Sequence, residues 1–196
     1  MKNYILTGFA DEIDPMMQKQ YALLHKLGIE YIELRGVNGK NISELTEDEI
    51  KSLKLQLDRE NIKISAIGSP AGKIKITNDF KEHFEMFEKL LSFAAILDTR
   101  YIRVFSFYMD GDYETLKDEV FNRMSRFVDA AEKADVVLLH ENEKGIYGDN
   151  LERCLQLVER FYGDNFKCTF DFANFVQCGV DTLEAYKALK PYIEYI

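Results

Sequence analysis

The sequence predicts an α/β fold, a parallel TIM (β/α)8 barrel that the chain leaves incomplete. Three observations carry this. Short runs rich in β-branched and aromatic residues alternate with longer runs of helical spacing. The starts of the short runs lie about 25–40 residues apart, the length of a βαβ repeat. Six such units and a seventh strand can be read, whereas a closed barrel needs eight units and about 250 residues.

The predicted strands are Tyr4–Phe9, Tyr31–Leu34, Ile62–Ile67, Tyr101–Phe107, Val136–His140, Lys167–Asp171 and Tyr192–Ile196. After the first, residues 14–27 set Met17, Tyr21, Leu24 and Leu27 three or four apart, and Gly28 follows as a C-cap. Residues 46–60 open with Thr46-Glu47-Asp48-Glu49, a capping-box pattern, and carry Ile50, Leu53 and Leu57 on one face. Residues 79–97 carry Phe80, Phe84, Phe87, Leu91 and Ala94. Residues 114–134 carry Leu116, Val120, Met124, Phe127 and Ala131. Residues 149–161 start at Asp149, a good N-cap, and carry Leu151, Leu155 and Val158. Residues 182–189 carry Leu183, Tyr186 and Leu189 before Pro191.

Strict alternation of strand and helix demands a parallel sheet with helices outside it. An open doubly wound sheet would advertise a Gly-rich turn after its first strand, and Thr7-Gly8-Phe9-Ala10-Asp11-Glu12 lacks one. Polar residues gather at the C-terminal ends of several strands, as barrel enzymes require. No Pro- or Gly-rich linker or low-complexity tract divides the chain, so one domain over residues 1–196 is expected.

Composition narrows the function classes. The net charge of -9 disfavours nucleic acid as a partner, since an acidic surface repels phosphate backbones. No apolar run approaches the roughly 18–20 residues that span a bilayer. Met1-Lys2-Asn3-Tyr4-Ile5-Leu6 does not read as a signal peptide, so the cytoplasm is the expected compartment. Cys154, Cys168 and Cys178 are too few and too irregular for a disulfide framework or a zinc motif, and free thiols are expected.

Chemistry is sought at the strand ends. Gly68 to Lys73 is one residue short of a phosphate-binding loop, and Ile74 stands where a Ser or Thr would hold magnesium. Lys73 can meet a substrate anion or be a solvated turn lysine. Glu141 and Asp171 each follow an apolar strand, and the two strands are neighbours in the barrel. Carboxylates at adjacent strand ends can share a divalent cation, because hard ions prefer oxygen ligands. The plainer alternative is a helix cap or a salt-bridge partner. His140 adjoins Glu141, so the two side chains face opposite ways on a strand. With Glu141 pointing inward, His140 is expected between sheet and helices. His25 and His83 are expected at helix surfaces or core edges.

Several motifs then become familiar. Leu138-Leu139-His140-Glu141-Asn142-Glu143-Lys144, Phe170-Asp171-Phe172-Ala173-Asn174-Phe175 and Tyr192-Ile193-Glu194-Tyr195-Ile196 resemble the sugar phosphate isomerase/epimerase family. Gly68-Ser69-Pro70 and Ile102-Arg103-Val104-Phe105-Ser106-Phe107 resemble strand-end motifs of one bacterial branch. The resemblance implies a xylose isomerase-like barrel, related in fold to endonuclease IV. It also implies a divalent metal (manganese, magnesium, cobalt or zinc) held by a Glu, an Asp, a His and a Glu on the fifth to eighth strands. Glu141 and Asp171 match the first two; matches to the other two are not found before Ile196.

The implied activity is isomerisation or epimerisation of a small sugar, sugar phosphate or related keto compound. The metal polarises a carbonyl, and carboxylates move the acidified proton. Glu141 would serve as metal ligand and acid/base, and Asp171 as metal ligand. Arg35, Lys73, Arg103, Lys144 and Asn174 would hold substrate oxygens. Two alternatives stand beside this: an endonuclease IV-like metal-dependent phosphodiester hydrolase, and a non-catalytic barrel. With half of the expected ligands absent, the chain by itself is expected to bind metal weakly and to be inactive. Unpaired edges on the first and seventh strands lead us to expect homo-oligomers.

Overall fold

The structure, a computed structural model, describes residues 4–196. The chain forms two compact units: the chain up to Ser69 with Lys89–Ile102, and Pro70–Glu88 with Arg103–Ile196.

The first unit contains α1 (Met17–Leu27), β1 (Tyr31–Leu34), a small antiparallel pair β2 (Gly36–Val37) and β3 (Lys40–Asn41), α2 (Glu47–Glu60) and β4 (Lys63–Ile67). It also takes the second half of α3 (Lys81–Ile96) and the first half of β5 (Tyr101–Val104). Its strands lie in the order β1-β4-β5, all parallel. The helices form where local signals demand. Gly28 ends α1 at φ +67°, a left-handed conformation that glycine adopts without a Cβ clash. Thr46 accepts from the Glu49 amide while the Glu49 carboxylate accepts from the Thr46 amide, the reciprocal capping box. Ile50, Leu53 and Leu57 of α2 are buried as their spacing predicts. On α1 the apolar stripe stops at Leu24, and Leu27 is exposed.

The second unit contains the remainder of α3 and β5, then α4 (Tyr113–Lys133), β6 (Val137–Glu141), α5 (Leu151–Phe161), β7 (Phe166–Thr169), α6 (Phe172–Gln177), α7 (Thr182–Leu189) and β8 (Ile193–Tyr195). Strand order is β5-β6-β7-β8, and the pairs β6–β7 and β7–β8 are parallel. Val120, Met124, Phe127 and Ala131 of α4 are wholly buried. Phe127 meets Phe80, Phe84, Phe87 and Phe107 in one aromatic cluster. Side chains alternate along β7, whose pairing with β8 shifts register between Cys168 and Thr169. Phe166 packs on His140 and Phe161, and Phe170, just past the strand, packs on Phe175 and Tyr186. Even-numbered residues of this stretch therefore face the helices and odd-numbered ones the other side.

Three expectations need correction. Tyr4–Phe9 is not a ladder strand: only Phe9 bridges to Glu33, and the Glu33 amide donates to the Gly8 carbonyl. Tyr4 is 92% and Leu6 70% exposed, so the apolar run finds no face to bury. The N-cap of α5 is Asn150, whose side chain accepts from the Arg153 amide; Asp149 pairs with the Arg153 guanidinium instead. The buried stripe of α5 is Cys154, Leu157 and Val158, with Leu151 and Leu155 at its half-buried edge. Helix α6, only six residues long, was not anticipated. All three cysteines are free. Among the described residues no helix is long and apolar enough to cross a membrane.

Candidate functional site

Glu141 closes β6 and Asp171 follows β7, and the two parallel strands are in register from Leu138↔Phe166 to Glu141↔Thr169. Both carboxylates thus stand at the C-terminal ends of neighbouring parallel strands, where barrel enzymes place their chemistry. Asn142 ties these ends together. Its side-chain amide donates to the Asp171 carbonyl and accepts from the Asp171 amide, both at 2.9 Å. A side chain here continues the ladder by one step after the backbone of β6 has turned away.

Glu141 is buried, and its Oε2 accepts from Arg103 Nη1 at 2.6 Å. Asn174 Nδ2 reaches Glu141 Oε1 at 3.4 Å and the Asn142 carbonyl at 2.9 Å. Burial raises the Glu141 carboxyl above its ordinary value. The Arg103 charge opposes the rise, and the negative charges of Asp171 and Glu143 add to it. Asp171 spends one oxygen, Oδ1, on the Asn174 amide at 2.7 Å, capping α6. The plainer roles weighed for these residues, salt-bridge partner and helix cap, are therefore both present. They leave Glu141 Oε1 only weakly engaged and Asp171 Oδ2 outside the cap.

The remaining sequence candidates divide. Lys73 Nζ pairs with Glu143 at 2.7 Å and lies 4.2 Å from the centroid of the Phe105 ring. Arg103 also lies over that ring, at 5.1 Å. Arg103, Glu141, Asn174 and Asp171 thus belong to one hydrogen-bonded network in the second unit, and the Lys73–Glu143 pair adjoins it over the Phe105 ring. Lys144 is exposed and makes no ion pair among the described residues. Arg35 belongs to the first unit, where it holds Asp11 and Glu12 and stacks on Phe9.

Supporting geometry fixes the loops. Gly72 has φ +87°, and a Cβ there would stand 1.9 Å from the Phe105 carbonyl oxygen, so only glycine fits. Its amide donates to His83 Nε2 at 2.7 Å, an acceptor role that requires a neutral ring; burial lowers the His83 pKa to about 4. His140 faces the helix side as expected, with Nε2 3.0 Å from Ser106 Oγ. Burial pushes its pKa down to about 3. Asn142, Glu143 and Ser106 were not predicted as site residues. Asn142 lies within a motif already singled out, but no spacing rule announces a side chain that bridges two strand ends.

Two hard carboxylate donors on adjacent strand ends suit a divalent cation as part of its shell. They do not make a shell alone. Among the described residues, no three His, Cys, Asp or Glu side chains gather to hold a metal ion.

Comparison with known proteins follows this geometry. The chain is 26% identical over 174 residues to the 3-dehydroshikimate dehydratase of Bacillus anthracis, covering 86% of this chain and 60% of that protein. The chain thus spans about three fifths of the length of that curated relative. A D-tagatose 3-epimerase-like protein matches in fold with TM-score 0.75 and 18% identity, over 97% of this chain and 73% of that one. The IOLI protein, crystallised with a zinc atom, matches with TM-score 0.73 and 20% identity, over 92% of this chain and 67% of that one. Residues 21–196 match the family described as xylose isomerase-like TIM barrel. With parallel βα units, paired carboxylates on adjacent strand ends and that match over most of its length, the chain belongs to the xylose isomerase-like TIM barrel family.

Proposed function

We propose that this chain carries part of the active site of a metal-dependent isomerase or epimerase. The substrate would be a small sugar, sugar phosphate or related keto compound. One observation carries the reading. Glu141 and Asp171 stand at the ends of in-register neighbouring strands, in a chain of this family. Glu141 and Asp171 would hold a divalent cation together with further donors. When bound, the cation would polarise a substrate carbonyl and acidify the adjacent C–H.

The chain's own residues do the rest. Glu141 serves as one of a pair of acid/base groups: it takes a proton on its carboxylate or delivers one from its carboxylic acid, and a second group acts on the opposite face or at the neighbouring carbon. Burial raises its carboxyl above the ordinary glutamate value. Arg103 orients that carboxylate through Oε2 and limits the rise. Asn174 touches Oε1, the oxygen left for substrate or cation. Lys73, Arg103, Lys144 and Asn174 meet substrate oxygens, and Arg35 is proposed for the same role in the complete protein.

A dehydratase reading has its own support in the identity to the 3-dehydroshikimate dehydratase. Elimination of water from a β-hydroxy ketone also begins with loss of a proton next to a carbonyl, so Glu141 keeps its role. The test is an assay of the full protein with manganese on 3-dehydroshikimate and D-tagatose. Turnover of either, lost in Glu141→Gln, supports the reading. Turnover that survives Glu141→Gln removes Glu141 from the chemistry.

A further inference from the structure

Thr169 is the last residue of β7 and pairs directly with Glu141. Paired residues of parallel strands project from the same face of the sheet. The other face is accounted for by Phe166, Cys168 and Phe170, which turn toward the helices. Phe166 lies on Phe161, Phe170 lies on Tyr186, and Cys168 is buried. The Thr169 hydroxyl therefore stands on the Glu141 side. It is nine-tenths buried, at 9% exposure, and Oγ1 has no hydrogen-bond partner among the described residues. No hydrogen bond joins it to Glu141, whose Oε2 accepts from Arg103.

A buried hydroxyl without a partner is destabilising, and valine would fill the same volume without that penalty. A threonine here, facing the reacting carboxylate, calls for a partner that arrives from outside the chain. We infer that Thr169 is a specificity-determining residue whose hydroxyl hydrogen-bonds an oxygen of the bound substrate beside Glu141. The ligand it selects is a hydroxylated or keto compound with an oxygen next to the carbon that exchanges its proton. This rests on the proposed function of the same site. The hydroxyl can donate and accept, so it suits a ligand hydroxyl or a carbonyl.

The experiment compares the full protein with Thr169→Val and Thr169→Ser, in manganese, by thermal melting and by binding of 3-dehydroshikimate and of D-tagatose. Without ligand, Thr169→Val is expected to melt no lower than the parent. With whichever compound the parent binds, Thr169→Val is expected to bind roughly tenfold or more weakly, and Thr169→Ser close to the parent. A large drop in the melting temperature of Thr169→Val would mean that the hydroxyl is paired within the protein, and would overturn the inference. So would equal affinity of the valine variant and the parent. A parent that binds neither compound overturns the proposed function, and the inference with it.

Discussion

Two arginines near strand ends, one in each unit, look alike in sequence and differ in what surrounds them. Arg35 follows β1, lies over Phe9 and holds Asp11 and Glu12. Arg103 sits in β5, lies over Phe105 and holds Glu141. The Arg35 side chain is 33% exposed and its Glu12 partner 68%. Arg103 and Glu141 are 9% and 7% exposed. The same pairing chemistry therefore works in two dielectric settings. Water reaches the first cluster through Glu12 and screens it in part, while Asp11, 18% exposed, keeps a two-bonded grip on the guanidinium. The second is desolvated, so each charge depends on the other.

The largest expected effect breaks the buried pair. Arg103→Met leaves Glu141 as a buried, uncompensated carboxylate and is expected to cost about 3–5 kcal/mol by urea unfolding. Arg35→Met is expected to cost about 1 kcal/mol or less. Equal losses would dissolve the distinction. A second variant sharpens it: adding Glu141→Leu to Arg103→Met removes the stranded charge and is expected to recover much of the loss.

Acid provides the next comparison. His83 and His140 of the second unit are held neutral, with pKa values lowered to about 4 and about 3 from 6.5. Below pH 6.5 the unfolded chain binds more protons at these rings than the folded one. Their contribution to stability is complete above pH 6.5 and is lost as pH falls through about 4 and then about 3. His83→Gln, which can still accept from the Gly72 amide, is expected to flatten the stability-against-pH curve below 6.5. An unchanged slope in His83→Gln would remove the assignment. The smallest effect is that of salt. At about 1 M, screening is expected to take a few tenths of a kcal/mol from the Arg35 cluster and leave the Arg103 pair unchanged.

Much of the fold was legible because its signals are local. The capping box at Thr46 and Glu49, the glycine at position 28 and the aromatic spacing of α3 each act within a few residues. The opposite facing of His140 and Glu141 follows from strand geometry alone. Tyr4–Phe9 misled because a strand needs a partner along its length, and alternation within six residues cannot supply one. Helix α6 was missed because a six-residue helix has too few turns for a periodic stripe; its one clue, a capping role for Asp171, stood only as the plainer alternative to a metal ligand.

Sequence by itself determined the βα repeat, the family motifs and the two carboxylates that end β6 and begin α6. These rest on periodicity, caps and residue type, which are properties of short stretches. Tertiary structure alone decided that Arg103, 38 residues away, would meet Glu141 in a desolvated pair, that Asn142 would bridge to Asp171, and that Thr169 would lie buried beside them. The physical reason is the sheet. Register between parallel strands brings distant residues onto one face, and burial there sets the strength of each charge and hydroxyl, a quantity that no local pattern encodes.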